Sequence, residues 1–457
     1  MSKIKKFIKF CFKATAIILL LLAAFIGYHS IDSDPPDLSE FNQPVLQLKD
    51  SENLAMKLNN VEKDLESVRE FESWNWSVKL PLDRKAFVEE KSEEMERLSG
   101  LKSISYFLPQ KLGELKLGPE YKNLRNYYQL YRYEMFSELL KSKEEIQVEK
   151  LFKFTLLLDQ KRFYVNSLFS KIIKDTVYKD YFRDLAFMLE FRDWKEEDLL
   201  LIYSFLTKQI PDDQELVEVL RYEMKDNLES LGHKQLKALF EQLNSFDDRA
   251  VYRACSKMLE YNYFYQKNTT LQSLVDMHDS FSQGINDNYS SLNLAVIQPR
   301  PEVFEELYKP NSVGRIVVSL LMKSSFRSTV ERHYEGKVML ELLKASVLAK
   351  IFEKRQGKRI NTLEDLKKID ASFLAKDYLA GCSLVFDREK RVVYSLGVDG
   401  SDDKAKWKQY SSGFKEELQE SELSDGNEAW CKILLSYDDF LTSGFMTRIS
   451  PDFAIQL

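Results

Sequence analysis

Two kinds of side-chain grouping in this 457-residue sequence have the type and spacing for chemistry, and both are acidic. The first is the loop Asp399-Gly400-Ser401-Asp402-Asp403. Calcium takes about six to eight oxygen ligands, and Asp399, Asp402 and Asp403 with nearby carbonyls supply several. These three are the candidate calcium ligands. A solvated acidic turn is the plainer alternative, since Asp-Gly is a common turn signal. The second grouping is the adjacent pairs Asp247-Asp248 and Asp438-Asp439. Two carboxylates work as acid and base only where their surroundings separate their pKa values across a scissile bond. A helix cap accounts for Asp247-Asp248 at least as well.

The other reactive residue types are scattered. His29, His233, His278 and His333 are isolated, without HExxH, and no serine or cysteine sits in a GxSxG context. All four histidines read as surface or packing residues. Among Cys11, Cys255, Cys382 and Cys431 there is no CxxC, which excludes a finger-type zinc site. Cys255 lies on an apolar helical face as a small hydrophobe. Cys382 and Cys431 are able to pair in an oxidising compartment. The aromatic-dense stretch Tyr121–Phe136 suits a stacking groove for sugar or peptide, or, more simply, a helix that fills a core with rings.

The elements that must position these residues are mainly helical. Gly (15) and Pro (11) are at roughly half their usual shares, so tight turns are few. That disfavours sandwiches, propellers and glycine-loop nucleotide enzymes. From about Leu46 to Phe281 apolar residues recur at three- and four-residue steps, as in Phe154, Leu158, Val165, Leu168, Ile172 and Ile173. Asp193 with Glu196 and Asp212 with Glu215 mark helix starts. Short helices over Leu199–Leu206, Leu216–Leu228, Leu236–Leu243 and Val251–Leu259 suit hairpins in an irregular bundle or short array. After Asn311 a long helix runs to Gly357, and Thr362 with Asp365 caps a short one. Leu384, Phe386, Val392, Tyr394 and Leu396 alternate around Asp387–Lys390 as a β-hairpin.

The N-terminus predicts where the chain sits. Lys3, Lys5, Lys6, Lys9 and Lys13 precede an uncharged, mainly apolar run, Ala14–Tyr28. Counted from Phe10 the run is long enough to cross a bilayer once, with Lys13 snorkelling. The lysines keep that end in the cytoplasm and leave the bulk outside. Phe25-Ile26-Gly27-Tyr28-His29 is a poor cleavage site, which favours an uncleaved anchor over a secretion signal. The net charge is −6; with +5 in the first thirteen residues, the remainder from Ile31 carries −11. An acidic body argues against nucleic acid as a partner.

The C-terminal motifs resemble a known pattern. A long helix, a Gly break, "TLEDL", a hairpin and then Tyr394-Ser395-Leu396-Gly397-Val398-Asp399-Gly400-Ser401-Asp402-Asp403 is similar to the major pseudopilin of type II secretion. With Asp425-Gly426-Asn427-Glu428-Ala429-Trp430 it resembles still more closely a loose group of membrane-anchored bacterial envelope proteins. The resemblance spans about Asn311 to Trp430 and implies a small β-region closed by an acidic loop. The chain differs in lacking a pilin-type N-terminus and in having Lys404-Ala405 where pseudopilins have a glycine pair.

These readings combine into a mainly α, α+β expectation. Residues 1–30 form a basic stretch and transmembrane signal-anchor, 31–45 a tether and 46–308 a helical domain. Residues 309–457 form a long helix with a small antiparallel β-region. The expected function is a non-catalytic scaffold, single-pass in the bacterial inner membrane through residues 10–28, with its bulk on the periplasmic side and a protein partner in the envelope. The alternatives are a carboxylate-dependent hydrolase or lyase acting on glycan or peptide, and an accessory of a type II secretion or pilus-like machine.

Overall fold

The computed structural model describes residues 2–42, most of 168–292 and 309–400, and shorter stretches at 104–106, within 128–152, at 163–165 and at 454–456. Asp247-Asp248, Asp402, Asp403, Asp438-Asp439 and Cys431 lie outside the described residues. Helix α1, Ser2–His29, follows the basic and apolar run to its end. Its side chains from Ile17 to Leu22, with Phe25 and Ile26, are exposed. Among the described residues no helix is long and apolar enough to cross a membrane; in α1 the described side chains begin at Thr15. The following segment has no regular structure to Leu38 and then makes one turn, Ser39–Asn42, which buries Phe41 against the ring of His278 at 5.0 Å.

The body is built of helices. In order they are α2 (Leu168–Phe191), α3 (Glu196–Lys208), α4 (Asp213–Glu229), α5 (His233–Phe246), α6 (Ala250–Met258), α7 (Lys267–Gly284), α8 (Ser312–Lys323) and α9 (Ser325–Gln356). Helix α9 is the axis. From Val338 to Phe352 nearly every residue is buried, on all sides of the helix. A helix that is apolar all round must be surrounded, and α2 and α3 pack along it. It stops at Gly357, which takes the left-handed φ of 62° that a side chain resists. The aromatic stretch supplies core rings: Tyr128, Tyr131 and Phe136 are buried, with Phe136 tilted on Phe187 at 5.6 Å. Nearly all the buried apolar side chains from Phe41 to Ile455 form one continuous cluster; Val392 and Tyr394 stand apart from it.

The local start signals meet different fates. Asp212 Oδ1 accepts from the Gln214 N–H at 2.9 Å and so caps α4. Asp365 Oδ2 accepts from the backbones of Asn361 (2.9 Å) and Thr362 (3.2 Å), closing the expected box. Asp193 has a distant partner as well. It pairs with Lys354 on α9 at 2.8 Å, Glu196 pairs with Arg355 at 2.7 Å, and the residue before α3 is an uncapped Lys195. Those acids are spent holding α3 to α9. Val165, expected on a helical face, lies instead in strand β2 (Phe163–Val165), paired in parallel with β1 (Ile104–Tyr106). Its helix begins only at Leu168.

The C-terminal strands are short. β3 (Lys376–Asp377) pairs with β4 (Cys382–Ser383), and β5 (Val385–Asp387), β6 (Val392–Tyr394) and β7 (Ala454–Gln456) form an antiparallel sheet. The expected hairpin is present, but its register divides the alternating set. Phe386 pairs with Val393 and faces the main core. Val392 and Tyr394 face the other side with Val385 and Leu396. The node of the region is Asp377, fully buried. Its carboxylate accepts from Leu379 N (3.0 Å), Ala380 N (3.2 Å), Ser395 Oγ (3.0 Å) and Leu396 N (2.8 Å). Tyr394-Ser395-Leu396-Gly397 is thus fixed by an acid seventeen or more residues upstream.

Leu343 on α9 is fully buried. Leu343→Ala should cost about 2 to 5 kcal/mol, read as a lowered denaturant midpoint. Leu374→Ala, at a position 71% exposed, should change it by less than about 0.5 kcal/mol.

Candidate functional site

Charged side chains are gathered where α2, α4 and α9 meet. Helix α2 brings Lys171, Lys174 and Asp175, the first turn of α4 brings Asp213 and Glu215, and α9 brings His333 and Lys337. On α2, Leu168, Lys171, Asp175, Tyr178 and Phe182 share one helical face at three- and four-residue spacing. Lys171 and Asp175 therefore sit on the same stripe as the apolar Leu168, Tyr178 and Phe182. The carboxylates suit the start of α4, where the helix dipole favours negative charge.

The pairing is dense. Lys174 bonds Glu215, Lys171 bonds Asp175 and lies 3.6 Å from Glu215, and Lys337 bonds Asp213. His333 Nε2 meets Asp213 Oδ1 at 2.8 Å. With His333 neutral, three lysines face three carboxylates and the charge cancels. Burial pulls the Lys171 ammonium down, but Asp175 and Glu215 more than restore it, and its pKa is raised. Lys174 has Glu215 as its main partner and Lys171 as a like-charged neighbour, so burial wins and its pKa is lowered. Burial likewise lowers His333 and Lys337. Glu215 goes the other way: burial would raise it, and Lys174 and Lys171 hold it below its usual value.

Lys171, Lys174, Asp175, Glu215 and His333 line a cavity of about 20 Å³ together with Tyr178, Phe182, Gln209, Pro211 and Gly336. That is room for about one water and no organic substrate. Two polar atoms in its wall, His333 Nδ1 and Asp175 Oδ2, have no hydrogen-bond partner among the described residues. If Nε2 donates to Asp213, Nδ1 of the neutral ring is an acceptor. A single water donating to one of these atoms costs nothing in charge; a proton added at Nδ1 would put a fourth cation beside Lys171 and Lys337. Acids lie beside aromatic rings here, as a glycan hydrolase requires, but a general acid needs a raised pKa, and Glu215 is held down.

The residues singled out in the sequence are placed elsewhere. Asp399 is exposed in the turn after Gly397, and Asp402 and Asp403 fall outside the described residues. Among the described residues no group of three or more His, Cys, Asp or Glu is placed to hold a metal ion. Cys255 is buried, which raises its thiol to about 12, and Cys382 is exposed as a free thiol. His278 packs on Phe41, and His233 stands edge-on to Tyr265 at 5.1 Å. His333 alone of the histidines joins the charge network, and Glu215, read as a cap partner, belongs to it as well. No protein family, curated protein or solved structure matches this chain.

Breaking the buried pair singly should be severe. Lys174→Met or Glu215→Leu should each be destabilising, by up to about 3 to 5 kcal/mol, because a buried charge loses its nearest counter-charge; Glu215 retains Lys171 at 3.6 Å. Lys174→Met with Glu215→Leu should recover much of that loss in a double-mutant cycle followed by chemical denaturation, since Lys171 keeps Asp175. The histidine sets a pH dependence. Its folded pKa lies below the unfolded value of about 6.5, so the native state resists protonation. Its stabilisation is complete above that value and is lost as pH falls through it. His333→Gln should flatten the decline in melting temperature as pH falls below about 6.5.

Proposed function

We propose that the chain is a non-catalytic scaffold anchored once in a bacterial cytoplasmic membrane, with its acidic helical body outside the cytoplasm. One observation carries the reading: Ile17 to Leu22, Phe25 and Ile26 project from α1 without cover. Leaving a Leu or Ile in water rather than in an apolar medium costs about 1.5 to 3 kcal/mol for each side chain. Over eight such residues that exceeds any ordinary loss of surface solubility. Hydrocarbon is the medium that removes the cost, and the apolar run extends upstream in sequence to Phe10. The five lysines before it favour a cytoplasmic N-terminus. A binding role, not acid–base chemistry, is supported by the engagement of the buried carboxylates by lysines. The resemblance to envelope proteins supports the compartment.

The test is an alkaline carbonate wash of membranes containing the full-length protein. Retention of the intact chain is expected. Release of an intact or shortened form would overturn the anchor. Added protease should digest the body in spheroplasts with an intact cytoplasmic membrane; protection would overturn the orientation.

A further inference from the structure

The segment after α1 does more than lead away from it. Helix α7 has no cap of its own: the side chain of Gln266, the residue before it, makes no capping bond. The cap comes from Asp32. Its Oδ2 accepts from Asn268 N at 2.8 Å and its Oδ1 from Thr269 N and Thr269 Oγ1, both at 3.0 Å. Gln266 Nε2 donates to the carbonyl of His29 and, at 3.3 Å, to that of Ile31. Asn268 Nδ2 donates to Ser33 O at 2.8 Å. The last carbonyls of α1 and the first free amides of α7 are therefore tied together, across more than 230 residues of sequence.

The loop before α7 is held from its other side too. Asn311 N donates to Tyr263 O and Val313 N to Phe264 O, both at 2.9 Å. Tyr265 N folds back to Tyr261 O at 3.2 Å, so Tyr261 stays within one turn of Gln266. Tyr261 is 61% exposed and is the sole exposed large aromatic among the described residues beyond α1. At the end of α1, Tyr28 and Ile31 are exposed to 73% and 71%. The one rigid loop that carries an uncovered ring is thus pinned to the end of the apolar helix.

The geometry points to a membrane-docking face on the body, in which Tyr261 sits in the headgroup layer beside Tyr28 and Ile31, and Asp32 is the clamp that holds it there. The inference rests on the anchor reading. Tyrosine is a residue of the bilayer interface because its ring is apolar and its hydroxyl wet. Lys267 is exposed at the start of α7, but so are Asp34, Asp37 and Glu260. The face has no excess of positive charge, so zwitterionic lipid suffices. Its consequence is mechanical: the body does not swing on a free tether but presents one fixed side outward to whatever it binds.

The experiment uses the full-length protein in phosphatidylcholine vesicles, with acyl chains brominated near the headgroup. Tyr261→Trp replaces an exposed ring and adds an indole. Its quenching should exceed that of the parent protein. Asp32→Ala in the same background should abolish the excess, while Asp32→Asn, which keeps a capping oxygen, should preserve it. All forms should resist the alkaline wash. No excess quenching in a protein that resists the wash overturns the docking face and leaves the anchor standing. Excess quenching that survives Asp32→Ala overturns the clamp. Release by alkali overturns both.

Discussion

Helix α9 imposes the constraint on which the rest depends. Its apolar side chains from Val338 to Phe352 point in every direction, so no single neighbour can cover them. α2 and α3 pack along it, and the C-terminal sheet and the turn at Leu363–Lys368 also close on it. Hydrophobic burial is non-directional. It accounts for α9 being surrounded, but it does not choose which neighbour meets which face. The directional interactions at the two ends of α9 make that choice. At one end His333, Lys337 and Glu335 meet Asp213 and Lys179; at the other Lys354 and Arg355 meet Asp193 and Glu196.

The magnitudes separate those two ends. The pairs of Lys354 and Arg355 are largely exposed, where an ion pair contributes about 0 to 1 kcal/mol. The α2–α4–α9 network is buried, and its Coulomb gain is offset by desolvation to a net value near zero. Its weight lies in the asymmetry: an intact network costs little, whereas a wrong rotation of α4 would strand several charges. The acidic first turn of α4 fits one site on the α2–α9 surface, the one with three lysines. On that argument the charges select a register and the apolar residues supply the stability.

Local signals and distant ones differ in what could be read before folding. The stop of α9 at Gly357, the Thr362–Asp365 box and the hairpin around Asp387–Lys390 depend on residues a few places apart, and sequence pattern is enough for them; the one long helix expected after Asn311 is instead two, α8 and α9. Asp193 and Glu196 marked the start of α3 correctly, but their pairing with Lys354 and Arg355 on α9 could not be read locally. Val165 misled because its apolar spacing continues the helical face of α2, while the pairing that makes it a strand comes from Ile104–Tyr106. The charge network was not read from the sequence: Lys171 and Asp175 share a face of α2 with Leu168, Tyr178 and Phe182, which becomes telling only once α4 is packed against it. Nothing within α2 reveals that α4 brings the compensating carboxylates. Asp377 shows the same limit: its spacing from Ser395 matches no motif, yet its carboxylate fixes the turn whose sequence drew attention.

Capping in trans deserves the same physical reading. A helix start has unsatisfied amides whose demand is met by the nearest suitable oxygen, whatever its place in the chain. Helix α7 leaves that demand open, since Gln266 turns its side chain outward to His29 and Ile31. Asp32 fills it from the far end of the sequence. A cap of this kind contributes about 1 kcal/mol, far less than the burial of Phe41 nearby, yet together with the Gln266 and Asn268 side chains it fixes the chain next to α1. Phe41 docks ten or so residues later, too far along an irregular segment to orient the helix end. The small polar contacts therefore govern the geometry between α1 and the body, and the large apolar one only keeps the segment attached.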